Sequence, residues 1–110
     1  MSHLNWNKTA FQKARSGTFY KTIAGKNMQM FYLKLEPGQV TNHSHPHEQM
    51  GYILAGKVAL TIGTETKICL AGEAYYVPSN LQHGFKVMGN ECLEYIEIFS
   101  PPKEEHKDLN

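Results

Sequence analysis

The sequence predicts an all-β, antiparallel sandwich or barrel, and three observations predict it. Short β-branched and aromatic segments recur along most of the chain. Gly, Pro and Asn residues punctuate them at close intervals, and no segment has the length and period of a helix able to cover a parallel sheet. A chain of 110 residues suffices for one domain with a single modest core.

Residues 1–17 read as an N-terminal arm, because polar and apolar residues mix there without a period and 8–15 fits a helical turn or an irregular stretch. Residues 18–24, with Phe19, Tyr20, Thr22 and Ile23, predict a strand that ends at Gly25-Lys26. Phe31, Leu33 and Leu35 share one parity in a strand over 27–36, and Glu36-Pro37-Gly38-Gln39 reads as a turn. Further strands follow at 40–43, 50–55, 58–62, 66–70, 74–77, 83–88 and 92–99, so the barrel is expected over 18–100. A polar tail over 101–110 completes the single domain.

The formal net charge is +1 and the charged residues are scattered, so no basic stripe points to nucleic acid and no basic amphipathic helix to a membrane surface. No apolar run approaches the roughly 18 residues of a membrane helix, and the first residues lack a signal-peptide pattern. A cytoplasmic protein is expected, with Cys69 and Cys92 as free thiols packed in the core. Its partner is a small molecule or another copy of the chain.

The chemistry concentrates in His43-Ser44-His45-Pro46-His47-Glu48-Gln49. Residues two apart on a strand face one side, about 6 to 7 Å apart, so His43 and His45 can aim nitrogens at one point. Gln49 shares their parity and Glu48 does not. His83 follows the strand end at Val77-Pro78 and supplies a fourth ligand from elsewhere in the chain. The set His43, His45, Gln49 and His83 suits one divalent transition metal ion (Ni, Zn, Fe, Mn or Cu) with room for water or substrate. Its neutral ligands leave the full double charge of the ion, which favours an anionic substrate. Pro46 weakens the parity argument, and a register using His45, His47 and Glu48 is the alternative; otherwise His47 lies outside the ligand set, and His3 and His106 are solvated.

These residues resemble the cupin superfamily. Its first motif is similar to Gly38…His43-x-His45-x3-Gln49-x6-Gly56 and its second to Gly72-x5-Pro78-x-Asn80-x2-His83, with Gln49 at the motif's glutamate and Asn80 at its glycine. The resemblance implies a double-stranded β-helix, or jelly roll. The histidine stretch together with Ile98-Phe99-Ser100-Pro101-Pro102-Lys103 further resembles the small pectin degradation cupins, and implies conversion of cyclic 4,5-unsaturated uronates to their linear keto form.

On that resemblance Glu97 stands at the acidic position, Phe99 forms a pocket wall and Lys103 replaces a frequent arginine as a charge for a substrate carboxylate. Leu93, Tyr95, Glu97 and Phe99 share a parity, so an inward face there would bury Glu97 and tune it for proton transfer. Which of Tyr52, Tyr75, Tyr76 and Tyr95 face inward is left open. Two other readings remain: an iron or copper dioxygenase of small enolic substrates, and a non-catalytic sugar-binding cupin. A short barrel with exposed edges gains by pairing them, so a homodimer is expected.

Overall fold

In a computed structural model that describes residues 3–103, the chain folds almost entirely into strands. They are β1 (Gln12–Arg15), β2 (Thr18–Ala24), β3 (Gln29–Leu35), β4 (Val40–His43) and β5 (Glu48–Ala55), then β6 (Lys57–Ile62), β7 (Glu65–Leu70), β8 (Ala74–Val77), β9 (His83–Met88) and β10 (Leu93–Ser100). A six-stranded sheet in the order β1-β2-β3-β10-β5-β8 faces a four-stranded sheet in the order β4-β9-β6-β7, and every pairing is antiparallel. This is the expected all-β jelly roll.

The alternation that predicted β5 and β10 governs their burial. In β10, Leu93, Tyr95, Glu97 and Phe99 point inward, and in β5, Gln49, Gly51 and Ile53 do so. Side chains from both sheets build one apolar cluster around Leu35, Ile53, Val58, Leu60, Val87, Leu93 and Tyr95, and a second gathers Tyr20, Phe31 and Phe99. Burying an aliphatic side chain contributes roughly 1.5–3 kcal/mol. The inward positions not used in this way carry polar groups, and they define the site.

Two expectations need correction. The arm over 1–17 is not irregular throughout: Trp6–Lys8 forms a 3-10 turn and β1 pairs with β2. Its polar composition hid a strand of four residues that lies at a sheet edge and so needs little apolar character. Cys69 is a buried core thiol as expected, but Cys92 lies just before β10 and is only partly buried; both are free.

Truncating Ile53, which is 1% exposed, should cost about 2–5 kcal/mol through the cavity left behind. The same change at Ile68, 45% exposed on β7, should cost under about 1 kcal/mol. Urea denaturation of Ile53→Ala and Ile68→Ala measures the difference.

Candidate metal centre and acid-base pocket

His43 and His83 are direct cross-strand partners at the paired ends of β4 and β9, with ring centroids 4.5 Å apart. His45 follows β4, and its ring lies 4.8 Å from that of His83 and 5.2 Å from that of His43. Ligand atoms of the three lie within 4.8 Å of one another, a cluster compatible with a metal ion. The turn after β8 holds the two halves together: the Asn80 N–H donates to the His45 carbonyl at 2.8 Å. Asn80 has φ 65°, in the left-handed region that glycine and asparagine tolerate best, which is why asparagine can stand at the motif's glycine.

Backbone contacts also orient the rings. His45 Nδ1 meets the His47 carbonyl at 3.1 Å, and His83 Nδ1 meets the Leu81 carbonyl at 2.9 Å. A carbonyl only accepts, so each Nδ1 carries the proton and each Nε2 presents a lone pair. Both Nε2 atoms are buried with no hydrogen-bond partner among the described residues, and so is Gln49 Oε1. Buried acceptors left without donors are costly, and a cation within the histidine cluster satisfies the two imidazole nitrogens. The donor set therefore fits a divalent metal ion on its own chemistry.

Although His43 is exposed as a residue, desolvation of its ring pushes the imidazole down to about 4, aided by His83, Lys103, His45 and Arg15. Desolvation lowers His45 in the same direction. Neutral rings are the form that binds metal.

Gln49 lines the same pocket as His43 and His83 and bonds Glu97. Its Nε2 donates to Glu97 Oε2 at 2.8 Å, and the same oxygen accepts a short hydrogen bond from the Tyr75 hydroxyl. Tyr75, Gly51 and Glu97 are cross-strand neighbours on β8, β5 and β10. A Cβ at position 51 would lie 2.1 Å from the Tyr75 ring, so the glycine leaves the space through which Tyr75 reaches the carboxylate. Glu97 is 6% exposed, and burial pushes it up to about 7 against the opposing pull of Tyr75, Lys103 and Gln49. Burial and the neighbouring Glu97 hold Tyr75 well above its usual value, so it stays a donor.

Phe99 is 3% exposed and serves as both core and pocket wall. Lys103 Nζ stands 4.6 Å from the centre of its ring, and Lys103 N–H donates to Gln29 Oε1 at 2.9 Å. The start of the expected tail is thus fastened to the barrel, with Pro102 buried. His43, Gln49, Tyr75, His83, Glu97, Phe99 and Lys103 all line one pocket, so the structure brings the candidate site residues together.

Other side chains sort more simply. Glu48 faces outward and accepts from the Tyr76 hydroxyl at 2.5 Å, which disfavours the register that used it as a ligand. His47 lies beside His45 and Phe99, at 5.1 and 6.2 Å between ring centroids, and outside the cluster. Tyr75 and Tyr95 face the pocket, whereas Tyr52 and Tyr76 are exposed. His3 is exposed; His106 lies outside the described residues. Arg15, read above as part of the arm, also lines the pocket.

The family model of the cupin domain matches residues 31–99, well over half of the chain. This chain belongs to the cupin domain family. The cupin is 30% identical over 96 residues to an uncharacterized protein of Streptomyces coelicolor, covering 86% of this chain and 90% of that one. It is 29% identical over 100 residues to the pectin degradation protein KdgF of Dickeya dadantii, covering 88% and 90%. The solved structure of KdgF from Halomonas sp. superposes with a TM-score of 0.87 at 24% identity, covering 96% of this chain and 97% of that one. An RmlC-like cupin from Shewanella frigidimarina gives 0.88 at 20% identity, covering 96% and 95%. The cupin is thus a small one that resembles KdgF.

The raised Glu97 fixes a pH dependence of metal-free protein. A carboxyl lifted from 4.5 to about 7 contributes stability in full below pH 4.5 and loses it as pH rises through 7. His43, lowered from 6.5 to about 4, works in the opposite sense and loses its contribution as pH falls through that window. Glu97→Gln should therefore gain on the wild type by on the order of 3 kcal/mol between pH 4.5 and 8. Chemical denaturation of both proteins across that range, with metal stripped, measures the divergence.

Proposed function

We propose that this cupin is a metal-dependent enzyme that converts cyclic 4,5-unsaturated uronates to their linear keto form. The observation that carries the reading is the buried Glu97, pushed up to about 7, hydrogen-bonded to Gln49 and lining the same pocket as His43 and His83. Its likeness to KdgF of Dickeya dadantii, a pectin degradation protein, supports the substrate class.

In this reading His43, His45, Gln49 and His83 hold one divalent transition metal ion, and nickel, zinc, iron, manganese and copper all accept such ligands. When bound, the ion supplies Lewis acidity toward substrate oxygens. The reaction is a net isomerisation and needs no oxidant. The anomeric hydroxyl loses a proton, the ring C1–O bond breaks, the released oxygen stays on C5 as an enolate, and C4 gains a proton as the C5 ketone forms. Glu97 is suited to take the first proton and return it, because its carboxyl near 7 exists in both forms at neutral pH. Tyr75 and Gln49 hold Oε2, so the remaining oxygen is the one that faces substrate. Phe99 walls the reacting centre from water, and Lys103 offers its charge to the substrate carboxylate.

Metal-loaded enzyme should remove the ultraviolet absorbance of the double bond of unsaturated galacturonate well above the spontaneous rate. Glu97→Gln should lower kcat by roughly 10²–10⁴-fold with metal content unchanged. His83→Ala should lose the metal. Decay at the spontaneous rate with every candidate ion ends the reading. Metal-dependent oxygen uptake with an enolic substrate would then favour a dioxygenase, and tight sugar binding without turnover a binding protein.

We further propose a cytoplasmic homodimer. The two free thiols fit a reducing compartment, and no helix among the described residues is long and apolar enough to cross a membrane. The dimer surface is the outer face of the six-stranded sheet, where Met30, Ile98, Met50 and Tyr76 lie side by side in register across β3, β10, β5 and β8, each 37–56% exposed. Tyr52 and Leu54 extend the patch. Trp6 and Phe11 stack on Tyr32 and cover only the neighbouring part of this face. A stable dimer buries roughly 800 Å² per partner, and an apolar patch continuous across four strands is the kind of surface that serves it. Light scattering should give a dimer for the wild type and a monomer for Met50→Lys/Ile98→Lys. A monomeric wild type, or an unchanged variant dimer, overturns the assignment.

A further inference from the structure

We infer that Arg15 is the principal carboxylate-binding residue of the pocket, receiving the substrate's anionic group together with Lys103. The inference rests on the uronate reading for the identity of the anion; the placement of the guanidinium stands on geometry alone.

The placement depends on one extra residue. In regular pairing Gln12 opposes Tyr20, Lys13 opposes Phe19 and Ala14 would oppose Thr18, so alternation would put Arg15 on the outer face with Lys13. Instead the register shifts between Lys13 and Arg15, and Arg15 itself opposes Thr18. Thr18 is 3% exposed and lines the pocket. A bulge of this kind leaves two residues facing one and re-aims a side chain. Ala14 and Arg15 accordingly both line the pocket.

The hairpin that carries the bulge is anchored. Gly17 has φ +80°, and a Cβ there would lie 2.3 Å from Gln39 Nε2. The Gly17 carbonyl accepts from the Glu36 N–H at 2.9 Å, and the Thr18 hydroxyl bonds Gln39 Oε1 at 3.2 Å. The tip of the β1–β2 hairpin is therefore tied to the turn between β3 and β4, which holds Arg15 over the pocket.

Charge and composition point the same way. The chain has 11 Lys and Arg residues, and Arg15 is the one arginine among them. Arg15 and Lys103 act electrostatically on the same ring, His43. Arg15 lines the pocket and is exposed as a residue, so a ligand entering from solvent can reach it. Glu97, the buried carboxyl of the pocket, already accepts two hydrogen bonds. A planar carboxylate is the ligand that pairs with a guanidinium through two parallel hydrogen bonds, a geometry Lys103 cannot offer. A monosaccharide carboxylate fits a pocket lined by both a guanidinium and a proton-transfer group.

Calorimetry on the metal-loaded full chain tests this with galacturonate and, as the neutral control, galactose. Wild type should bind galacturonate at least tenfold more tightly than galactose. Arg15→Gln should weaken galacturonate by roughly ten- to hundredfold, leave galactose binding and metal content unchanged, and raise KM for unsaturated galacturonate with little change in kcat. Arg15→Lys should fall between. Equal galacturonate affinity in wild type and Arg15→Gln, equal losses for galactose, or no galacturonate binding by wild type overturns the inference. If turnover is absent while the galacturonate difference persists, the activity reading falls and the anion site stands; if turnover occurs with KM unchanged in Arg15→Gln, the anion site alone falls.

Discussion

The hydrogen bond from Gln49 Nε2 to Glu97 Oε2, at 2.8 Å, is the contact on which the site depends. An amide has one donor end and one acceptor end, and committing the donor to Glu97 leaves Oε1 as a free acceptor in the pocket that His43 and His83 also line. That oxygen is buried and unpartnered among the described residues, as are the Nε2 atoms of His45 and His83. A glutamate at position 49 would instead set two carboxylates against each other in a desolvated pocket. The departure from the family's glutamate and the presence of Glu97 are thus one arrangement.

The arrangement needs a rigid frame, which comes from adjacency on three strands. β5 lies between β8 and β10, so Tyr75, Gly51 and Glu97 form one row, and the missing side chain at 51 gives the tyrosine its path. On the other sheet, His43 and His83 are register partners, and the turn at Asn80 attaches His45 to them by a backbone hydrogen bond. The His45 and His83 rings are oriented by main-chain carbonyls, and the Glu97 carboxyl by the Gln49 and Tyr75 side chains, so the polar groups of the pocket are fixed in advance.

What was legible in the sequence follows the regularity of the strands. β5 and β10 have eight residues each; parity put Gln49 inward and Glu48 outward, as they are buried and exposed, and grouped Glu97 with Leu93, Tyr95 and Phe99 while leaving open which face of β10 was inward. Short strands gave no such purchase. β8 has four residues with two adjacent tyrosines, so parity could not say which one entered the pocket until the register with Gly51 was known. β1 was missed as a strand, and its bulge reverses the facing of Arg15, so alternation would have misplaced that residue in any case. The Lys103 position depends on a hydrogen bond from its main-chain N–H to the side-chain oxygen of Gln29, 74 residues earlier, which no local pattern encodes.

The strand order has a consequence for how the molecule is made. β10 is the last strand among the described residues, yet it lies between β3 and β5 and carries Glu97 and Phe99. During synthesis β3 and β5 emerge long before the strand that joins them, and their facing edges stay open until residues 93–100 leave the ribosome. Pairings between distant segments are slow to form, and unpaired edges invite association with other chains. Because the same strand completes the sheet and delivers the carboxyl, a nascent chain stalled before β10 carries its histidines but lacks both Glu97 and Phe99.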